Sequence, residues 1–283
     1  MPQLLLVLVA VQDDGSGASR RDLGPVLIGR IPGVDGMTAV VTGAGSGIGR
    51  ALARALAARG ADLVLADIDA AALGEVAESL GAQAVVTDVA SPESVEALAR
   101  AAGEARLVCL NAGIVGADLG APWEVAAADW DRVFAVNVGG VVNGLRAFVP
   151  RLLAADRPAH VLITGSLAGA ATFPGGGAYG PSKHAVVAVA EHAAMALADT
   201  PIGVSMLCPA LVATGMSGEG VLPEDIAAAA LATIEDGTFA VIPPEWQHAV
   251  VTAATRLASG RRPQAAAPAD RRAEEGVPPL PPR

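Results

Sequence analysis

The sequence predicts an α/β protein with a doubly wound parallel sheet in a single domain. Short apolar runs alternate with helical segments between Met37 and about Leu257, and the runs are continuously apolar. Strands with this pattern are buried on both faces, and helices that connect such strands make the sheet parallel. A glycine-rich turn at Thr42–Gly49 directly follows the first run, and such a turn before a helix is typical of a phosphate-binding loop.

The first half of the domain is predicted to hold four strands and three helices. Gly60 and Gly81 follow two helical patterns, and glycine commonly ends helices. Ser91-Pro92-Glu93 combines an N-cap serine with a proline in the first turn. The predicted strands are Thr38–Thr42, Leu63–Ala66, Ala84–Thr87 and Leu107–Leu110, and the predicted helices are Gly49–Arg59, Ala70–Leu80 and Ser91 to about Ala102.

The second half continues the alternation and includes one long helical region with Pro150 near its end. The predicted helices are Ala126–Leu153, Tyr179–Ala198 and Pro223–Glu235, and the predicted strands are His160–Thr164, Gly203–Leu207 and Thr238–Ile242. The domain is therefore assigned to residues 37–258. Residues 1–36 are interpreted as an N-terminal appendage that need not be ordered. Residues 259–283, rich in Arg, Pro, Ala and Glu, are interpreted as a disordered tail.

Composition narrows the classes of function. A formal net charge of -10 and a pI near 4.8 argue against nucleic acid and anionic membrane surfaces as partners. The apolar segment Leu4–Val11 is shorter than the roughly 20 residues that span a bilayer and lacks the basic flank of a secretion signal. Cys109 and Cys208 lie in apolar runs, so we expect two buried, reduced thiols in a cytoplasmic protein without a metal site.

The most informative pair is Tyr179 and Lys183, the single tyrosine and the single lysine of the chain. The other eighteen basic residues are arginine, so the one lysine stands where arginine is not an equivalent choice. Residues four apart share a helix face. An ammonium beside a phenol is expected to lower the pKa of the phenol, which makes an acid/base for an alcohol oxygen. A surface Tyr/Lys pair is the simpler alternative.

The glycine-rich turn and Asp67 together indicate a dinucleotide. Glycines let the backbone turn tightly and approach a pyrophosphate at the helix N-terminus, although an ordinary glycine-rich turn is the alternative. Asp67 ends the second strand, where a carboxylate can accept hydrogen bonds from ribose hydroxyls and would repel a 2′-phosphate. No arginine follows in Ile68-Asp69-Ala70, so NAD is favoured over NADP. Asp69 is assigned the role of helix N-cap.

From these motifs and their order, the chain resembles the short-chain dehydrogenase/reductase family over about Met37 to Ile242, which implies a Rossmann fold. The resemblance rests on the glycine loop, Asp88-Val89, Asn111-Ala112-Gly113, Asn137, Ser166, Tyr179-x-x-x-Lys183 and a Pro209 segment that ends at Thr214. It implies catalytic roles for Asn137, Ser166, Tyr179 and Lys183. It implies cofactor contacts for Gly43, Ser46, Gly47, Ile48, Gly49, Asp67, Asp88, Val89, Asn111, Ala112, Gly113, Tyr179, Lys183, Pro209 and Thr214.

The implied activity is NAD(H)-dependent interconversion of a secondary alcohol and a ketone by a homodimer or homotetramer. The apolar candidates for the pocket wall, which suggest a small apolar substrate, are Leu167, Phe173, Val212 and Met216. The short segment Met216–Leu222 and the two prolines in Phe239–Trp246 depart from the family pattern and affect the substrate pocket and the usual oligomer contacts. A catalytically weak NAD-binding regulatory or scaffold protein of the same fold is the alternative function.

Overall fold

A parallel seven-stranded sheet forms the centre of the protein, in the strand order β3-β2-β1-β4-β5-β6-β7. The computed structural model describes residues 31, 33–213 and 220–268. The strands are β1 Thr38–Thr42, β2 Asp62–Asp67, β3 Gln83–Val86, β4 Leu107–Leu110, β5 Ala159–Thr164, β6 Ile202–Leu207 and β7 Ala240–Val241. The order reverses between β1 and β4, and in such sheets ligands bind in the crevice at the carboxyl ends of the strands beside that reversal.

Helices cover both faces of the sheet. They are α1 Gly47–Ala57, α2 Ala70–Leu80, α3 Pro92–Ala101, α4 Ala127–Phe134, α5 Gly140–Ala155, α6 Leu167–Ala170, α7 Tyr179–Ala196, α8 Pro223–Asp236 and α9 Pro244–Ala258. A π-helical turn, Ala135–Gly139, joins α4 to α5. One core cluster includes Leu98, Phe148 and Val186 of α3, α5 and α7. The other includes Leu52 of α1 and Ile234 of α8.

The continuously apolar runs are buried as predicted, because every residue of β4, β5 and β6 is buried. The two helix starts read from the sequence are also confirmed. The Asp69 carboxylate accepts the backbone N–H groups of Ala71 and Ala72 at the start of α2. The Ser91 hydroxyl accepts the N–H of Ser94 at 3.2 Å at the start of α3.

Two helices and one irregularity were not predicted. The four-residue helix α6 is too short for a periodic pattern, and α9 begins at Pro244, within a proline pair that resembles a break. The predicted continuous helix Ala126–Leu153 is divided by the π-helical turn. By length and composition the stretch Ala127–Ala155 could cross a membrane, but α5 packs against β4 and α3, as a core helix does.

The ends of the domain extend beyond the bounds assigned from sequence. Ile31 and Val34 belong to a core cluster, although they lie in the segment interpreted as an appendage. Ala266, in the assigned tail, donates its backbone N–H to the carbonyl of Thr172 at 3.1 Å. Leu4–Val11, Thr214 and Met216 lie outside the described residues.

Candidate active site

The glycine loop between β1 and α1 is packed so closely that two of its positions require glycine. Gly43 has a φ of 68°, and a Cβ there would lie 2.9 Å from the Cα of Ala112. A Cβ on Gly49 would lie 2.0 Å from the carbonyl oxygen of Gly43. Ser46 is the N-cap of α1 but makes no side-chain cap hydrogen bond, so capping does not occupy its hydroxyl. These features fit a pyrophosphate at the start of α1, near Gly47 and Ile48.

Asp67 is held against this loop at the end of β2. One carboxylate oxygen accepts the N–H of Gly45 at 2.8 Å, and the other accepts the N–H of Asp69 at 3.0 Å. Each oxygen retains further acceptor capacity. The carboxylate is therefore oriented beside the loop and can still accept ribose hydroxyls. The residues of the loop and of Asp67 fit an adenine dinucleotide.

Asn111 binds the ends of three strands together beneath the loop. Its amide nitrogen donates to the carbonyl of Thr42 at 3.1 Å, and its amide oxygen accepts the Thr164 hydroxyl at 3.0 Å. The Thr42 hydroxyl accepts the backbone N–H groups of Asn111 and Ala112 at 2.9 and 3.1 Å and donates to the carbonyl of Cys109. Because protein atoms engage both ends of the Asn111 amide, its side chain positions the loop. The sequence did not indicate that Thr42 and Thr164, which lie at strand ends, hold Asn111 in place.

The remaining predicted cofactor residues line the same edge of the sheet. Asp88 is exposed, and its carboxylate accepts the N–H of Ala90 at 2.9 Å. Val89 is buried against α5, where a Cβ on Gly140 would lie 2.8 Å from a Val89 methyl group. A Cβ on Gly113 would lie 3.1 Å from the amide oxygen of Asn137 and 3.4 Å from the ammonium nitrogen of Lys183. Gly113 thus joins the cofactor side of the site to the catalytic side.

Ser166, Tyr179 and Lys183 meet where β5 ends and α7 begins. Ser166 is the N-cap of α6, and its hydroxyl accepts the N–H of Ala168 at 3.1 Å. The Ser166 side chain is also a hydrogen-bonding neighbour of the Tyr179 phenol, and this interaction lowers the pKa of the phenol. Lys183 is buried and donates from Nζ to the carbonyl of Thr164 at 3.0 Å. Its Nζ lies 5.8 Å from the centroid of the Tyr179 ring.

Burial controls the charge of this group. Burial raises the pKa of Tyr179, and the hydrogen bond from Ser166 opposes that rise. Burial lowers the pKa of Lys183 to about 8, so the ammonium is still charged at neutral pH. The expectation that the pKa of Tyr179 lies below its ordinary value is wrong for the polypeptide by itself, because burial of the phenol raises the pKa. At neutral pH the site therefore presents a protonated phenol.

Asn137 lies in the π-helical turn, and such turns frequently occur at functional sites. Its amide oxygen accepts the N–H of Ile114 at 2.8 Å, and its amide nitrogen donates to the carbonyl of the same residue at 2.9 Å. The residue is buried, with 1% of its surface exposed. Asn137 therefore joins the turn to the chain that leaves β4 after Gly113.

Comparison with known proteins agrees with this architecture. The model of the short chain dehydrogenase family matches residues 37–224. The chain belongs to the short-chain dehydrogenase/reductase family. It is 42% identical over 198 residues to a 1-deoxy-11-beta-hydroxypentalenate dehydrogenase of Streptomyces avermitilis, covering 66% of this chain and 73% of that protein. The family assignment makes the protein an oxidoreductase that uses a nicotinamide cofactor.

Solved structures of the family share the fold. A short-chain dehydrogenase/reductase from Burkholderia phymatum in complex with NAD aligns with a TM-score of 0.79 and 35% identity, over 83% of this chain and 99% of that one. The Pseudomonas aeruginosa RhlG/NADP complex aligns with a TM-score of 0.67 and 28% identity, over 76% of this chain and 97% of that one. The bound cofactor thus differs between the two relatives.

The region of the predicted pocket residues contains contacts that the sequence did not indicate. Phe173, between Ser166 and Tyr179 in the chain, packs edge-on against Trp246 of α9, with ring centroids 5.6 Å apart. The carbonyl of Pro209 accepts the N–H of Leu167, the residue after Ser166, at 2.9 Å. Val212 pairs with Val221 in an isolated β-bridge. Thr214 lies outside the described residues, so its predicted contact stays a prediction.

Cys208 is the main residue whose place in the site the sequence did not reveal. Both cysteines are free and buried, as predicted. However, the Cys208 thiol is a neighbour of the Ser166 backbone and of Lys183, and both interactions lower the pKa of the thiol. Burial raises the pKa of Cys208 to about 11, so it is a neutral thiol at physiological pH. The sequence pattern of an apolar strand end showed its burial but not its neighbours.

Proposed function

We propose that the protein is an NAD(H)-dependent oxidoreductase that interconverts a secondary alcohol and a ketone, with Tyr179 as the acid/base. The observation that supports this proposal most directly is the meeting of three groups at the edge of the sheet beside the glycine loop. The Ser166 side chain interacts with the Tyr179 phenol, and Nζ of the buried Lys183 lies 5.8 Å from the centroid of the Tyr179 ring. A proton donor, a polarising hydroxyl and a fixed positive charge are what reduction of a carbonyl requires.

Each residue has a distinct part in the proposed reaction. The substrate oxygen lies between Ser166 and Tyr179, and Ser166 fixes its position by a hydrogen bond. During reduction, the Tyr179 phenol donates its proton to this oxygen; during oxidation, the phenolate removes the proton from the alcohol. A nicotinamide bound beside this group would supply or accept the hydride at the substrate carbon. The Lys183 ammonium stabilises the phenolate and donates to ribose hydroxyls, and Asn137 supports a water-linked proton relay to it.

The raised pKa of Tyr179 predicts how the rates of oxidation and reduction depend on pH. Oxidation needs the phenolate, whose fraction grows as the pH rises towards the pKa of the phenol, which burial places above its ordinary value. The rate of oxidation should therefore increase as the pH rises from neutrality. Reduction uses the phenol together with the charged Lys183, whose pKa burial lowers to about 8, so the rate of reduction should be highest near neutrality and fall above about pH 8. Initial rates measured in both directions across this range test the assignment.

Asp67 supports NAD over NADP within this proposal. Its carboxylate is fixed by Gly45 and Asp69 at the position where a ribose would bind, and it would repel a 2′-phosphate. The Burkholderia relative was solved with NAD, which favours the same choice. The ratio of kcat/KM values with NAD and NADP is the measurement. A higher value with NADP, or an Asp67→Ala variant with an unchanged ratio, would contradict the assignment.

The substrate is proposed to be a small, mostly apolar alcohol or ketone. Leu167 directly follows Ser166, and Phe173 and Val212 are the other described residues predicted to form an apolar pocket wall. The Streptomyces relatives are named for a hydroxylated compound, 1-deoxy-11-beta-hydroxypentalenate, which favours an alcohol as the substrate class. We further propose a cytoplasmic enzyme that assembles as a homodimer or homotetramer, without nucleic acid or membrane partners.

The test of function is a screen of cyclic and linear alcohols and ketones with NAD(H) and NADP(H), followed by the absorbance of the reduced nicotinamide. Tyr179→Phe should bind the cofactor normally and lose turnover, because it removes the proton donor and little else. Turnover in this variant close to that of the parent protein would refute the mechanism. Tight cofactor binding without turnover of any compound would instead support the regulatory or scaffold alternative.

A further inference from the structure

Ser182 connects two parts of the site that the proposed mechanism treats separately. It lies between Tyr179 and Lys183 in α7 and is completely buried. Its hydroxyl donates a hydrogen bond to the backbone carbonyl of Tyr179 at 2.7 Å and accepts one from the amide nitrogen of Asn137 at 2.9 Å. One side chain therefore bonds both to the residue that carries the phenol and to the π-helical turn.

The hydroxyl of Ser182 forms hydrogen bonds both within its own helix and outside it. Serine inside a helix often donates to a carbonyl three or four residues earlier, and that bond alone offers the helix little. Here the same oxygen also accepts a hydrogen bond from Asn137, which belongs to a different element. Alanine, which is abundant elsewhere in α7, could occupy the position but could not make this connection.

The connection continues on the far side of Asn137. The Asn137 amide bonds to both backbone groups of Ile114, two residues after the predicted cofactor residue Ala112. The contacts therefore form one continuous path from the backbone of Tyr179 through Ser182 and Asn137 to the segment that follows β4. Fully paired polar networks of this kind are rigid, because breaking one bond leaves a buried polar atom without a partner.

We propose that Ser182 is a positioning residue, which fixes the π-helical turn against the catalytic helix and thereby sets the placement of the Tyr179 phenol. The proposal rests on the proposed function, because the placement matters through the acid/base role of Tyr179. Ser182 acts through Asn137 and Tyr179 and needs no contact with the substrate.

The experiment compares Ser182→Ala with Ser205→Ala. Ser205, in β6, is a matched control because it is also completely buried. Its hydroxyl donates to the Thr238 carbonyl at 2.6 Å and forms a hydrogen bond with His160 at 3.0 Å. We expect Ser182→Ala to lower kcat about tenfold with little change in the KM for the cofactor, as misplacement of a reacting group does. Ser205→Ala should lose stability to a similar degree but retain its kcat.

A second readout does not depend on any substrate. Tyr179 is the single tyrosine, so the tyrosinate absorbance reports on this residue alone. Burial is the main cause of its raised pKa, and a loosened first turn of α7 should admit water. We expect the pKa of Tyr179 in Ser182→Ala to fall by about half a unit or more, towards the ordinary value. Ser205→Ala should titrate like the parent protein.

The outcomes separate the two proposals. If no alcohol or ketone is turned over but the tyrosine titration shifts in Ser182→Ala alone, the proposed function fails and the positioning role stands. If the kcat and the titration of Ser182→Ala both match those of Ser205→Ala, Ser182 is an ordinary buried serine and the inference is wrong. Should Ser182→Ala not fold, Ser182→Cys keeps the side-chain size with only a weak donor and acceptor and should give the same two changes.

Discussion

The proposed cofactor side and the proposed substrate side of the site share one sheet but are held in different ways. Beside β1 and β2, backbone atoms approach so closely that the residue type is forced, as at Gly43 and Gly49. On the substrate side, side chains from distant parts of the chain make the contacts, as Phe173 does with Trp246. Backbone packing permits few substitutions, whereas side-chain packing permits many. The cofactor side can therefore be read from a motif, and the substrate side cannot.

The largest effect is expected at Gly49. In Gly49→Ala the new Cβ would lie 2.0 Å from the carbonyl oxygen of Gly43, so the loop must move. We expect cofactor affinity to fall by about 100-fold or more, because the backbone then no longer fits the phosphates. Titration with NADH gives the affinity. The control is Gly74→Ala in α2, which has no atom within 4 Å of the new Cβ and should bind normally. Normal binding by Gly49→Ala would contradict the close approach.

The next effect concerns Lys183, which lies where the two sides meet. Lys183→Arg keeps the charge, but the planar guanidinium is larger than the buried ammonium that bonds the carbonyl of Thr164. We expect kcat/KM to fall by about two orders of magnitude, on the scale of an acid/base contribution. Steady-state kinetics at neutral pH give the value, and urea unfolding shows whether the variant remains folded. A folded variant with nearly normal activity would make the single lysine an accident of composition.

A smaller effect is expected from shortening the chain. A chain that begins at Met37 lacks Ile31 and Val34, which are buried in the core cluster shared with β1 and α1. Burying one aliphatic side chain contributes about 1.5–3 kcal/mol, so the free energy of unfolding should fall by about 2–4 kcal/mol. Urea unfolding measures it against a chain that begins at Ile31. Equal stability of the two chains would mean that residues 31–36 add nothing to the fold.

The smallest effect is expected on the substrate side. Trp246→Ala removes the ring that supports Phe173, and an edge-on aromatic pair contributes about 0.5–1.5 kcal/mol. We expect kcat/KM to change by up to about tenfold, with a different ranking of bulky and small substrates. The affinity for NADH should not change. Trp123→Ala is the control, since Trp123 is 84% exposed. If both variants rank substrates as the parent protein does, α9 does not shape the pocket.

The sequence by itself determined the sheet, most element bounds and the identities of the central residues. Helix α2 and strand β4 have the predicted bounds, because a capping residue or a run of buried positions marks them locally. Tyr179 and Lys183 could be predicted as site residues because they are the single tyrosine and the single lysine, four residues apart, and Ser166 because its motif resembles the family pattern. Helix caps, buried runs and short motifs depend on residues that are close together in the sequence, so they can be predicted from it.

Only the tertiary structure decided how these residues act on one another. The rise in the pKa of Tyr179 comes from burial by parts of the chain far away in sequence, and it reversed the expected direction. The engagement of the Asn111 amide, the Cys208 thiol beside Ser166 and the bond from Ser182 to Asn137 likewise join separate elements. Desolvation and hydrogen-bond pairing depend on which residues are neighbours in the folded structure. The spacing of residues along the chain does not show which distant residues become neighbours.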